Sequence, residues 1–298
     1  MTIPKRHHYI PRFYLERFVD SQGLVWVFDK SGDRVFRAAP AALGVEKWFY
    51  EAPELRGTET SPLFLEAQFA QLEAEAAKIT ACWLRQVETG DVVVMPEVNR
   101  EIMSLYIATQ LLRTAEQREI LAQFLRALGL YGEAGPDPDG ELQNLHARLI
   151  CDDVTIHDAI GALKGAIWIF ARNKSEVPFY TSDHPVLLKS PDNKQWLCVP
   201  RIWDDGVQIV FPISPSLILY CKERVYWRKL ERFDNCVSPV HFTAYMAEHE
   251  NSGQIGMSRR FVFCCKPDFE FARTFCDLHP EIRDPNRVRI SRQDSDSG

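Results

Sequence analysis

A chain of 298 residues has room for one large domain or two small ones, and 46% hydrophobic with 26% charged residues is the balance of a globular protein. That balance excludes a disordered, collagenous or coiled-coil chain, and no stretch of about eighteen uncharged apolar residues is present to span a membrane. A net charge of −6 argues against a general cationic nucleic-acid surface, so nucleic acid is expected at most at a local site, around Lys5, Arg6 and Arg12 or around Arg283, Arg287, Arg289 and Arg292.

The N-terminal Met-Thr-Ile-Pro-Lys-Arg-His-His lacks an apolar stretch of signal-peptide length, and the eight cysteines have no framework spacing. Reduced thiols and a cytoplasmic location are the expectation. In chain order, residues 11–18 form a short helix with Pro11 at its first position, and Leu24–Asp29 and Arg34–Arg37 form a hairpin across Lys30-Ser-Gly-Asp33. The aromatic run Trp48-Phe-Tyr50 is expected to add a strand.

From residue 61 the period becomes helical. Ser61-Pro62 caps a helix carrying Leu65, Phe69, Leu72, Ala76, Ile79 and Trp83. Pro96 opens a second whose length implies a break near Thr114, and a third runs from a Thr155 cap through Ile160, Leu163, Ile167 and Phe170, with a loop over 133–140 between them. After Val177 come strand candidates at 179–181, 186–188, 207–211, 217–220 and 260–264, with a helix over 239–251 before the last. The expected fold is α+β: a helical bundle packed against a mainly antiparallel sheet built from N- and C-terminal strands. One domain covers 1–275, in segments 1–60, 61–175 and 176–275, and a polar tail follows over 276–298.

Dinucleotide, P-loop, zincin and hydrolase-elbow fingerprints are absent, so no nucleotide cofactor is indicated. Chemistry must come from constellations. His7-His8 sets two imidazoles beside basic residues, suited to proton transfer or phosphate contact. Gln110 and Arg113 share a polar helical stripe with Tyr106 and Gln117, and could grip a phosphate or carboxylate; the alternative is a buried Arg113 paired with Glu66 or Glu73 of the neighbouring helix. Thr181-Ser182-Asp183-His184-Pro185 leaves a strand abruptly, presenting Asp183 as a ligand or simply forming a turn.

His-His-Tyr-Ile-Pro-Arg-Phe-Tyr-Leu, Trp26–Lys30, Gln110-x-x-Arg113, Thr181-Ser-Asp-x-Pro185 and Phe211-Pro-x-Ser-Pro215 occur in the order that resembles the bacterial family called domain of unknown function 4238. The resemblance spans residues 7–265 and implies that His7, His8, Gln110, Arg113, Ser182 and Asp183 are hallmark positions. It implies no activity.

Those positions support a cytosolic phosphodiester hydrolase, a nuclease-like toxin or defence effector. His7, His8 and Asp183 would be catalytic, Gln110, Arg113 and Ser182 would bind substrate, and Asp183 with Glu66 and Glu73 would hold Mg²⁺ or Mn²⁺. The rival expectation is a non-catalytic ligand-sensing or scaffold domain for a small anion or peptide, with no membrane partner and no protein partner specified. A third is a buried polar network that fixes helices against strands.

Overall fold

In the computed structural model, which describes residues 6–50, 64–131, 140–198 and 204–290, the N-terminal apolar alternation becomes strand structure. The first elements are β1 (Arg6–His8), α1 (Arg12–Leu15), β2 (Val25–Asp29), β3 (Arg34–Ala38) and β4 (Val45–Lys47). Strands β2 and β3 form the expected hairpin, whereas β1 pairs antiparallel with β4. Trp48-Phe-Tyr50 is not a strand. The chain turns there, with Trp48 at φ 57°, and the strand lies just before it.

The helical segment comprises α2 (Phe64–Thr89), α3 (Glu97–Leu112), α4 (Ala115–Ala127), α5 (Glu141–Cys151) and α6 (Asp153–Gly165). The proposed Ser61-Pro62 cap and most of the 133–140 loop lie outside the described residues. The expected break is real: Thr114 turns extended at ψ 162° and its hydroxyl accepts the Gln117 N–H, so a new helix begins at once. Asp152, not Thr155, caps α6 by accepting the Thr155 N–H at 2.8 Å.

The remaining elements are β5 (Ile167–Arg172), β6 (Thr181–Ser182), β7 (Leu187–Lys189), β8 (Trp196–Leu197), β9 (Gln208–Ser214), β10 (Leu217–Lys222), β11 (Cys236–Val237), α7 (Ala244–Met257), β12 (Phe261–Cys264) and α8 (Glu270–Leu278). Residues 167–170, expected to continue a helix, are strand instead. A strand covered on both faces reads as an unbroken apolar run, and Ile167 and Phe170 fit a helical spacing by coincidence. Helix α7 starts late, where Thr243 caps it.

The fold is α+β. One sheet has the order β11-β5-β10-β9-β7-β8, antiparallel except for the β11–β5 pair, and a second has the order β3-β2-β12-β6. N-terminal β2 and β3 thus share a sheet with C-terminal β12 and β6, as the change of period at both ends of the helices requires. The bundle meets the larger sheet through Trp83 of α2, edge-on to Trp168 at 6.0 Å and to Phe170 at 5.2 Å. Residue 276 is no structural boundary: α8 runs through it, Ile282 and Ile290 are buried, and Arg287 and Arg289 reach back to α4.

Candidate functional site

Strand alternation separates the two histidines. His7 is fully buried; the Tyr50 N–H donates to its Nδ1 at 2.9 Å and the Tyr50 ring lies parallel to it at 6.0 Å. His8 is turned outward, its Nε2 3.2 Å from the Ala41 carbonyl. The two imidazoles therefore do not act on one atom. Gly44 fixes the next residues: at φ +57° it accepts the Tyr9 and Ile10 N–H groups, and a Cβ there would stand 2.5 Å from Ile10 Cβ.

Arg113 ends α3 with 1% exposure. Its Nε donates to Gln110 Oε1 at 3.0 Å, its Nη1 to Glu73 Oε1 at 2.8 Å, and its guanidinium lies over Phe69. Gln110 in turn donates to the Tyr9 carbonyl, and the Tyr50 hydroxyl donates to the Arg113 carbonyl. This is the buried Arg–Glu pairing between helices, rather than an open anion grip. Glu66, on the same side of α2, is pushed up to about 7 by burial and by Glu73, against the opposing charge of Arg113.

The Thr-Ser-Asp-His segment is likewise engaged in holding the fold. Asp183 accepts three backbone N–H groups at 2.8 Å, Arg259 on one oxygen and Arg260 and Phe261 on the other. Burial pushes its carboxyl up, while those amides and the charge of Lys30 pull it down. Ser182 Oγ donates to Gln254 Oε1, and His184 Nδ1 meets Thr114 Oγ1 at 2.7 Å. The Asp183 oxygens face amide donors, and among the described residues no three metal-ligating side chains cluster, so Asp183, Glu66 and Glu73 are not brought together as one ligand set. The Trp26–Lys30 segment has the same character. Asp29 grips Arg260 at 2.8 and 2.9 Å, and Lys30 Nζ caps the end of α7 through the Ile255 and Ser258 carbonyls.

These buried contacts surround a cleft of about 480 Å³. Tyr9, Glu46 and Phe49 form one side, Arg118 and Glu119 of α4 another, Asp183 and Arg259 the base, and Pro285 and Asn286 the far wall. Arg118 lies 3.7 Å from the Phe49 ring centre and donates to the Phe49 carbonyl and to His146 Nδ1. His146 is pushed down to about 3, chiefly by burial and then by Arg118, and gives its other ring nitrogen to the Leu112 carbonyl. Arg259 donates to the Ala115 carbonyl and is 29% exposed. The Tyr9 hydroxyl has no hydrogen-bond partner among the described residues, although the residue is only 8% exposed; burial and the charges of Asp183 and Glu46 raise it above the ordinary phenol range.

Arg118, Arg259 and Glu46 escaped the sequence reading. Arg118 falls one turn past the Thr114 cap, which was a usable signal; Arg259 is brought in only because Asp183 binds its backbone.

The family model described as Protein of unknown function (DUF4238) matches residues 6–268. The chain belongs to this family. No curated protein and no solved structure matches it. The DUF4238 match covers every cleft residue except Pro285 and Asn286, so the far wall is built by chain beyond the matched region. That wall is anchored by fully buried Glu116, which Arg289 grips at 2.7 and 2.8 Å and Arg287 contacts at 3.3 Å. Although burial opposes ionisation, the two arginines hold the Glu116 carboxyl below the usual range. Among the described residues no helix is long and apolar enough to cross a membrane.

Proposed function

We propose that this DUF4238 protein recognises a small charged molecule in the cleft between Arg118 and Arg259, as a ligand-sensing or scaffold domain. One observation carries this reading: Tyr9, Arg118 and Arg259 line one cleft, and among the described residues the Tyr9 hydroxyl there has no protein hydrogen-bond partner. A hydroxyl that faces a cleft with no protein partner is free to donate to a bound polar group. The volume of about 480 Å³ suits a small ligand. A phosphodiester hydrolase built on His7, His8 and Asp183 with Mg²⁺ or Mn²⁺, acting as a toxin or defence effector, has weaker support, since His7 and Asp183 already serve the fold.

The test is thermal unfolding of the full chain against small carboxylates, phosphate and amino acids, together with an assay for RNA and DNA cleavage with Mg²⁺ or Mn²⁺. Ligand at a hundred times its Kd should stabilise by about 2.7 kcal/mol. Tyr9→Phe, which keeps the packing on Phe49, should lose most of that gain. Metal-dependent cleavage abolished in His8→Ala would instead establish the hydrolase.

A further inference from the structure

The charge pattern of the cleft narrows the ligand, an inference that rests on the binding role just proposed. Among the described residues six charged side chains line it: Arg118, Arg259, Arg260, Glu46, Glu119 and Asp183. The fold itself neutralises two. Asp183 is answered by three amides, and Arg260 closes both prongs on Asp29. Glu119 Oε1 accepts the Gln123 amide at 3.1 Å, but its charge is met only by Arg126 at 3.6 Å and Arg259 at 3.8 Å, both beyond hydrogen-bond length, so no cation closes on it. Glu46 projects from β4, exposed, with no ion pair or hydrogen bond to its carboxylate among the described residues. Two guanidiniums therefore share one small space with two incompletely answered carboxylates.

A polyanion would meet Glu46 and Glu119 as well as the arginines, and a net charge of −6 would repel it at longer range. A plain cation would meet both guanidiniums. We propose that the ligand is a small zwitterion of the α-amino acid type, free or as a dipeptide. Its carboxylate is received by Arg259 and Arg118 with the Tyr9 hydroxyl as a further donor, and its ammonium by Glu46. Tyr9 joins the two halves, because its hydroxyl feels both Glu46 and Arg259.

Isothermal titration of the full chain with the common amino acids and dipeptides tests this, with three controls: amino acid amides, which lack the carboxylate; N-acetyl amino acids, which lack the ammonium; and acetate with inorganic phosphate. The expected result is at least one zwitterion that binds, loses about tenfold or more in affinity when either charge is masked, and loses about tenfold with Glu46→Gln. Glu46 is exposed, so that variant keeps the fold. Should acetate, phosphate or the N-acetyl compounds bind as well as any zwitterion, or Glu46→Gln leave affinity unchanged, the zwitterion assignment falls while the binding role stands. If none of these compounds binds at millimolar concentration, both fall.

Discussion

Thr114 Oγ1 lies 2.7 Å from His184 Nδ1, which ties the break between α3 and α4 to the turn after β6. The same hydroxyl accepts the Gln117 N–H, and its own hydrogen is free to go to the imidazole when Nδ1 is the unprotonated nitrogen. His184 can accept because burial pushes its pKa down to about 4 and leaves it neutral near pH 7. Removing the hydroxyl in Thr114→Val deletes a helix cap and orphans a buried ring nitrogen. Chemical denaturation should register a loss of about 1–2 kcal/mol, most of it restored in Thr114→Ser.

Asp183→Asn tests whether this carboxylate is structural. Three amide donors converge on its two oxygens, and an asparagine offers one oxygen while turning an NH₂ toward the others. The expected loss is on the order of 3 kcal/mol, read as a lower denaturation midpoint. A variant as stable as the wild type would mean that Asp183 does not hold the start of β12.

How far these roles are legible in the sequence depends on the partner's distance along the chain. The α2 stripe, the β2–β3 hairpin and the break at Thr114 are visible because their causes are local: spacing, turn residues, a cap. Pairing of Arg113 with a glutamate of α2 is foreseeable too, since Glu66 and Glu73 share one face of that helix. Asp183 binding the backbone 76 residues on is a different matter, as no composition marks an amide as an acceptor's target. Strand β5 is hidden by being buried on both faces, and His7 by a two-residue-period register that only its pairing with β4 reveals. The cleft is the sum of such distant pairings, so its arginines carry no local motif.

Glu66 gives the protein a pH dependence of defined sign. Its folded-state pKa, pushed up to about 7 from the ordinary 4.5, means that the fold holds the proton more tightly than the unfolded chain does. The stabilisation is complete below about pH 4.5 and is lost as pH rises through about 7. Glu66→Gln keeps the neutral shape at every pH. Its denaturation midpoint should vary less than that of the wild type across this window, and above pH 7 the variant should be the more stable protein. Parallel curves for the two proteins would remove Glu66 as the source.

The C-terminal wall of the cleft stands or falls with Glu116. This fully buried carboxylate has Arg289, itself 1% exposed, closed on both oxygens and Arg287 beside them. The arginines also bind chain elsewhere: Arg287 reaches the Gly256 and Ser258 carbonyls at the end of α7, and Gln123 of α4 receives the Arg289 N–H. In Arg289→Met the carboxylate stays buried with only a glancing partner, a circumstance that costs about 3–5 kcal/mol. Replacing both members with apolar residues, Glu116→Met with Arg289→Met, removes the buried pair and leaves Arg287 on the Gly256 and Ser258 carbonyls, and should recover part of that loss. Because Pro285 and Asn286 line the cleft between these anchors and α8, the single variant should also loosen the far wall, seen as faster amide exchange over residues 284–290. A single variant costing less than about 1 kcal/mol would show that the ion cluster does not hold the wall in place.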